Sequence, residues 1–181
     1  IGVGALGQAH AIKASIMGSG QVIVVDPSEL RVNITARLAK AEPVVGLAED
    51  VVDRVLELTG GEGVDVSINA TGFPGSFNPS IRMLRDGGTL IEVGNFVDMG
   101  EEMFNPAVLC GRNLTMMGIG GEDLLAYENT IALLDRHNGD IPFAEMISHR
   151  FPVSDAPDAM ALALDSFKSA KVLITEDLLK T

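Results

Sequence analysis

The chain has 181 residues, enough for one domain with a buried core and a small appendage, and 46% of its residues are hydrophobic. Its net charge of −12 argues against a nucleic-acid partner, because neutralising phosphates requires lysine and arginine. A single cysteine, Cys110, excludes an internal disulfide, and no apolar run reaches the roughly 18 residues of a membrane span. We therefore expect a soluble cytoplasmic protein.

A glycine-rich turn opens the chain, with Gly2, Gly4 and Gly7 in the spacing G-x-G-x-x-G. In a dinucleotide-binding unit the first glycine allows the tight turn and the second lets a pyrophosphate approach the backbone. The third lets the following helix pack close to the sheet. Free backbone N–H groups and the positive end of the helix dipole would meet the phosphate charge.

One acidic residue, Asp26, follows at the position that such a unit requires. A helical stretch over 6–17 and a β-branched strand over 22–25 separate it from the turn. From the end of that strand its carboxylate can accept hydrogen bonds from a ribose diol and repel a 2′-phosphate, which predicts NAD rather than NADP. The motif also needs a buried strand before it, of which only Ile1 remains. We therefore expect a fragment cut inside its first strand.

Helices and strands alternate over the next hundred residues. Helices are predicted over 29–40, 50–58, 77–84 and 122–136, and strands over 43–45, 64–69, 89–93 and 113–117. This alternation predicts an α/β fold, a doubly wound parallel sheet with ligands at the carboxyl ends of the strands.

The pattern changes after about residue 140. An extended stretch over 146–153, a helix over 154–167 and a short strand over 171–175 are too few to form a core of their own. We predict a nucleotide-binding domain over 1–140 and a separate C-terminal segment over 141–181.

Several short motifs occur in a characteristic order. They are the turn 2–7 (GVGALG), Asp26 with Arg31, 58–66 (LTGGEGVDV), 70–72 (ATG), 84–89 (LRDGGT), 92–94 (EVG) and 171–174 (KVLI). In this order and spacing the chain resembles the coenzyme-binding half of the medium-chain dehydrogenase/reductase family, particularly its zinc-dependent alcohol and polyol dehydrogenases. The resemblance covers essentially the whole chain.

The resemblance implies a Rossmann fold and an activity that this chain holds only in part. In that family a GroES-like catalytic domain precedes the nucleotide domain and carries the zinc, the acid/base relay and most of the substrate pocket. The segment 141–181 would return to that domain. The implied parent transfers hydride between an alcohol carbon and the nicotinamide of NAD(H). This chain, with no catalytic residue or metal ligand of its own, would be inactive alone.

The resemblance also implies roles for individual residues. Gly2, Gly4, Leu6, Gly7 and Lys171 would line the pyrophosphate, Asp26 and Arg31 the adenosine ribose, and Thr71, Val93, Gly94, Ile119 and Gly120 the nicotinamide half. Arg31 has a simpler alternative as a solvated helix cation, and Lys171 as an ordinary edge-strand lysine. Asn69 departs from the family, because many members have an acidic residue there.

Other protein classes share parts of this pattern. A short-chain dehydrogenase needs a tyrosine with a lysine four positions on, but Ile131 follows Tyr127 at that spacing. Methyltransferases also pair a glycine-rich turn with an acid, but their usual turn is the tighter G-x-G-x-G. A non-catalytic NAD-binding module and a zinc-free medium-chain reductase stay open.

The last predicted strand of the sheet indicates how copies of the chain associate. The strand over 113–117 falls at the last position of the inferred sheet, and an exposed apolar edge promotes association. Related dehydrogenases pair their coenzyme domains through this edge. We expect a homodimer, or a tetramer built from dimers, held partly by residues 113–119.

Overall fold

Strands and helices alternate along the chain in the computed structural model, which describes residues 1–121 and 124–176. The helices are α1 (Ala5–Ile16), α2 (Glu29–Ala39), α3 (Val52–Leu58), α4 (Phe77–Arg82), α5 (Ala107–Gly111), α6 (Leu124–His137) and α7 (Ala156–Leu164). The strands are β1 (Ile23–Asp26), β2 (Glu42–Val45), β3 (Val64–Asn69), β4 (Leu84–Glu92), β5 (Thr115–Gly118), β6 (His149–Pro152) and β7 (Val172–Thr175).

The first two residues join two blocks of parallel strands. β1 pairs with β2, and β3, β4 and β5 pair in that order, all in parallel. Between the blocks, Gly2 N–H donates to Val25 O at 2.8 Å, the Ile1 amino group donates to Ile68 O at 2.8 Å, and Ala70 N–H donates to Ile1 O at 2.8 Å. The resulting order, β2-β1-(1–2)-β3-β4-β5, is doubly wound, which confirms the predicted α/β class.

Successive residues of β1 pack on opposite faces of the sheet, as strand geometry requires. Val24 joins Val32 of α2 in one buried cluster, whereas Val25 joins Val52 and Val55 of α3 in another. The helices α2 and α3 therefore cover opposite faces, so β1 is apolar on both sides. That burial explains why its sequence reads as a continuous β-branched run.

The structure differs from the predicted elements in the region of β4. The sequence predicts a strand that begins at residue 89, but β4 already begins at Leu84. The register skips from Val64 opposite Leu84 to Val66 opposite Thr89, and Gly87 takes a positive φ of 74°. The glycine-containing stretch therefore bulges out of a continuous strand.

Helix α5 was not predicted. Asn105 Oδ1 accepts the N–H of Ala107 at 3.0 Å, and Pro106 precedes the first helical residue. This Asn-Pro pair is a local helix-start signal that could have identified the helix.

The C-terminal segment contacts the first domain. β6 and β7 pair in parallel, and α7 packs against β7 with Ala159 buried. Phe143 and Met146 pack against the buried cluster of α1 and α2, and Arg37 forms an ion pair with Glu145. The predicted packing of 141–181 on a catalytic domain remains a prediction, and residues 177–181 lie outside the described part. None of the helices in that part combines the length and apolarity needed to cross a membrane.

Candidate cofactor-binding site

Three loops meet at the carboxyl ends of the strands, and glycines allow their close approach. At Gly2, with φ at 77°, an added Cβ would lie 2.7 Å from Thr71 Cγ2. At Gly94 an added Cβ would lie 2.4 Å from the backbone N of Gly72. The structure thus brings together the predicted turn 2–7 and the predicted loop residues at 71 and 94, although they are far apart in sequence.

Gly7, the third glycine of the turn, allows helix α1 to pack directly against the turn. A Cβ added at Gly7 would lie 1.8 Å from Gly2 O, a separation that no folded backbone tolerates. Gly4 caps the helix, and within residues 1–121 and 124–176 no side chain accepts from the N–H groups of the first turn of α1. Open N–H groups and the positive end of the helix dipole therefore face the same edge of the sheet, as phosphate binding requires.

The space beside Gly4 is open. An added Cβ there would meet only the Arg31 guanidinium within 4 Å, at 3.8 Å. The absence of a side chain at this position is therefore not demanded by packing. This glycine instead leaves the surface of the turn free for a ligand to approach the backbone.

Asp26 anchors the turn, a structural role that the sequence did not reveal. Its side chain is 4% exposed, with Oδ2 accepting the N–H of Val3 at 2.9 Å and Oδ1 accepting the N–H of Ser28 at 2.8 Å. Each carboxylate oxygen retains a second lone pair for a ribose hydroxyl. The buried Gln8 holds Val3 from the other side, because Gln8 Nε2 donates to Val3 O at 3.3 Å.

Arg31 lies beside the turn and is tied to the C-terminal segment. Its Nε donates to Ser169 O at 2.8 Å, and Ser28 Oγ donates to Phe167 O at 3.4 Å. The structure therefore brings the predicted Arg31 close to Gly4 and gives it a structural partner.

The loop after α7, in which Ser169 O accepts from Arg31, is stabilised by hydrogen bonds to Asp165. A hydrogen bond from the Lys168 side chain lowers the pKa of this carboxyl, and the backbone N–H groups of Phe167 and Lys168 also donate to it. Lys171 follows this loop with an exposed side chain. Its ammonium has no partner among residues 1–121 and 124–176, and a phosphate contact stays a prediction.

A buried polar network lies at the ends of β3 and β4. Asn69 is fully buried, and its Nδ2 donates to Glu92 Oε2 at 2.7 Å. Its Oδ1 accepts from the hydroxyls of Thr71 and Ser76, both at 3.0 Å. Sequence reasoning identified Thr71 but missed Glu92 and Ser76, because nothing local marks residues that only the sheet brings together.

The remaining predicted residues lie at the same edge. Val93 N–H donates to Asn69 O at 3.0 Å, and Ile119 N–H donates to Glu92 O at 3.0 Å. Ile119 is 49% exposed, and Gly120 approaches the ring of Phe96. The structure thus places the residues predicted for the nicotinamide half together at the carboxyl end of β4.

The groups with shifted pKa values do not form an acid/base pair. Burial lowers the pKa of the Ile1 amino group to about 6, and burial and the nearby Lys13 lower the pKa of His10. Within 1–121 and 124–176, no group of three or more His, Cys, Asp or Glu side chains could hold a metal ion. Cys110 is exposed. The side chains of the described residues therefore provide no ligand set that fits a zinc ion.

Comparison with known proteins gives the family. A family model described as zinc-binding dehydrogenase matches residues 5–136. An alcohol dehydrogenase of Cupriavidus necator is 29% identical over 84% of this chain and 41% of its own length. An L-threonine 3-dehydrogenase of Pyrococcus furiosus is 27% identical over 95% of this chain and 49% of its own length.

Solved structures agree with this assignment. A crystal structure of an alcohol dehydrogenase from Thermotoga maritima superposes with a TM-score of 0.83 and 25% identity, covering 97% of this chain and 48% of that one. The chain thus spans half or less of the length of these relatives. With the family model matching most of its length, the chain belongs to the zinc-binding dehydrogenase family.

Proposed function

We propose that this chain is the cofactor-binding portion of an NAD(H)-dependent, zinc-type alcohol or polyol dehydrogenase. The observation that carries the proposal is the pairing of an uncapped glycine-rich turn with a carboxylate directly beside it. Asp26 lies within hydrogen-bonding distance of Val3, inside the turn that would receive the pyrophosphate. The relatives named as alcohol and L-threonine dehydrogenases support an alcohol as the substrate class.

The described residues fit a dinucleotide. Gly2, Gly4, Leu6 and Gly7 would hold the pyrophosphate through backbone N–H groups, and Asp26 would accept from the adenosine ribose. Bound NAD would supply a hydride acceptor, and the loops around Thr71, Val93, Gly94, Ile119 and Gly120 would orient its nicotinamide half. Arg31 and Lys171 would add positive charge near the phosphates.

The zinc and the acid/base groups of the reaction are assigned outside this chain. The described residues offer no metal ligand set, as shown above, and the chain spans only part of its relatives. Here the protein's contribution is to bind and orient the cofactor. The chain by itself is therefore expected to bind NAD without oxidising alcohols.

The test compares NAD binding by the chain and by its Gly4→Ala variant, using titration calorimetry. A methyl group meets no clash at this position, so the unfolding temperature should fall only by the small cost of alanine as an N-cap. The methyl group would block the close approach of the pyrophosphate, and NAD affinity should fall on the order of tenfold or more. Gly20→Ala is the matched control, because a Cβ at Gly20 meets nothing within 4 Å.

Several outcomes would contradict the proposal. Binding of S-adenosylmethionine instead of NAD would indicate a methyltransferase. Equal NAD affinity in the Gly4→Ala variant would remove the turn from the binding site. Turnover of alcohols by the chain alone would place catalytic groups within it.

We also propose that the outer edge of β5 is a dimer interface in the parent enzyme. β5 pairs only with β4 among the described strands, and Met117 and Ile119 are each 49% exposed. An unpaired apolar edge favours pairing with a second copy. A Thr115→Pro variant should dissociate in sedimentation experiments. The backbone of Thr115 faces β4 in the parallel register, so proline disrupts the β4–β5 pairing and displaces the strand that forms this edge.

The control for this prediction is Thr115→Val, which keeps the N–H group and the β-branched shape. It should sediment like the wild type. A monomeric wild-type parent at micromolar concentration, or an unchanged Thr115→Pro dimer, would exclude this edge as the interface.

A further inference from the structure

We propose that Asn69 and Glu92 act as a positioning pair that fixes the two loops at the nicotinamide end of the cofactor site. This inference rests on the proposed NAD binding. It assigns a role to two residues that do not themselves touch the cofactor, and it explains why an amide occupies position 69.

The amide of Asn69 has only one orientation that satisfies its surroundings. Its Oδ1 accepts from the Thr71 N–H at 3.3 Å, the Thr71 hydroxyl at 3.0 Å and the Ser76 hydroxyl at 3.0 Å. Because a backbone N–H can only donate, the carbonyl end must face that loop. The NH₂ end is thereby directed at Glu92.

Glu92 continues the connection into the second loop. Its Oε2 accepts from Asn69 Nδ2 at 2.7 Å, while its Oε1 accepts the N–H groups of Gly94 at 3.0 Å and Asn95 at 3.1 Å. The Asn95 side chain donates to the same oxygen at 3.1 Å. One carboxylate thus sets the conformation of residues 94–95 and is held in place by Asn69.

The two loops so connected are also in direct backbone contact. A Cβ added at Gly72 would lie 2.9 Å from Gly94 O, and one added at Gly94 would lie 2.4 Å from Gly72 N. A shift of either member of the pair therefore moves both loops. Since Thr71 in turn lies against Gly2, the nicotinamide end is aligned with the pyrophosphate turn.

The pair needs one carboxylate and one amide. A second acid at position 69 would place two carboxylates at hydrogen-bonding distance in a largely buried site, where like charges repel strongly. A second amide at position 92 would set two NH₂ groups against each other. Exchanging the two groups, with an acid at 69 and an amide at 92, restores every hydrogen bond with a single negative charge.

A double-mutant cycle of Asn69→Asp, Glu92→Gln and the double variant tests the pair. NAD and ADP affinities are measured for all four proteins, together with their unfolding temperatures. ADP carries the adenosine and pyrophosphate groups but lacks the nicotinamide, so it reports on the other end of the site. Each single substitution should weaken NAD on the order of tenfold, and the double variant should recover most of that loss.

The ADP measurement separates positioning from a general loss of structure. We expect ADP affinity to change much less than NAD affinity across the cycle, because the network reaches the pyrophosphate turn only through the contact between Thr71 and Gly2, and Asp26 forms no hydrogen bond with Asn69 or Glu92 among the described residues. A parallel loss of ADP and NAD affinity would show a merely structural role, and an unrescued double variant would exclude the pair. If the wild type binds ADP but not NAD, the positioning role is overturned. If it binds neither, the proposed function itself fails.

Discussion

Replacing Gly7 with alanine is expected to damage both the fold and cofactor binding. The new Cβ would lie 1.8 Å from Gly2 O. The backbone fixes the position of a Cβ, and Gly2 O is itself a main-chain atom, so no side-chain rotation relieves the overlap. Helix α1 must move away from the turn. At about 1–3 kcal/mol for such overpacking, the unfolding temperature should fall by roughly 2–12 °C. NAD binding should be lost with it, because the first-turn N–H groups move.

The measurement is thermal unfolding by circular dichroism, followed by NAD titration below the transition. Gly139→Ala serves as the control, because a Cβ at Gly139 meets nothing within 4 Å. A Gly7→Ala variant with wild-type stability would show that the helix can shift without cost. The contrast with Gly4→Ala, which should keep most of its stability and lose NAD, separates packing from ligand approach.

Removing the carboxylate of Asp26 is expected to narrow the preference for NAD over NADP. In Asp26→Ser the negative charge that repels a 2′-phosphate is gone, and so is the acceptor for the ribose diol. NAD binding should weaken by about 1–3 kcal/mol, the scale for hydrogen bonds to a charged group. Because Val3 N–H and Ser28 N–H also lose their acceptor, the unfolding temperature should fall as well.

A second variant separates the two roles of Asp26. Asp26→Asn removes the charge but keeps an oxygen for one of the two N–H donors, so its stability should lie between those of wild type and Asp26→Ser. Both variants should share the narrowed NAD/NADP ratio, measured by titration with each cofactor. Glu29→Gln removes an exposed charge three residues away and should leave the ratio unchanged. An unchanged ratio in both Asp26 variants would count against its role in selectivity.

Local sequence determined the part of the candidate site that we propose for the adenosine. The spacing of Gly2, Gly4 and Gly7, the helix behind them and the acid at the end of the next strand all lie within one βαβ unit. Short-range geometry fixes such a unit, since a turn, a helix start and a strand end each have local signals. The predicted strand β3 (Val64–Asn69) matches the structure for the same reason, and β1 differs only by one residue at each end.

Tertiary structure alone decided which polar groups support the turn and the loops that we propose for the nicotinamide. Asn69 and Glu92 meet only because β3 and β4 are neighbours in register, and the link from Arg31 to Ser169 joins residues far apart in the chain. Neither contact has a local signal, since each depends on which strands and segments pack together. The sequence by itself thus determined the motif and the family it resembles, whereas the packing of distant segments decided which polar groups hold that motif in place.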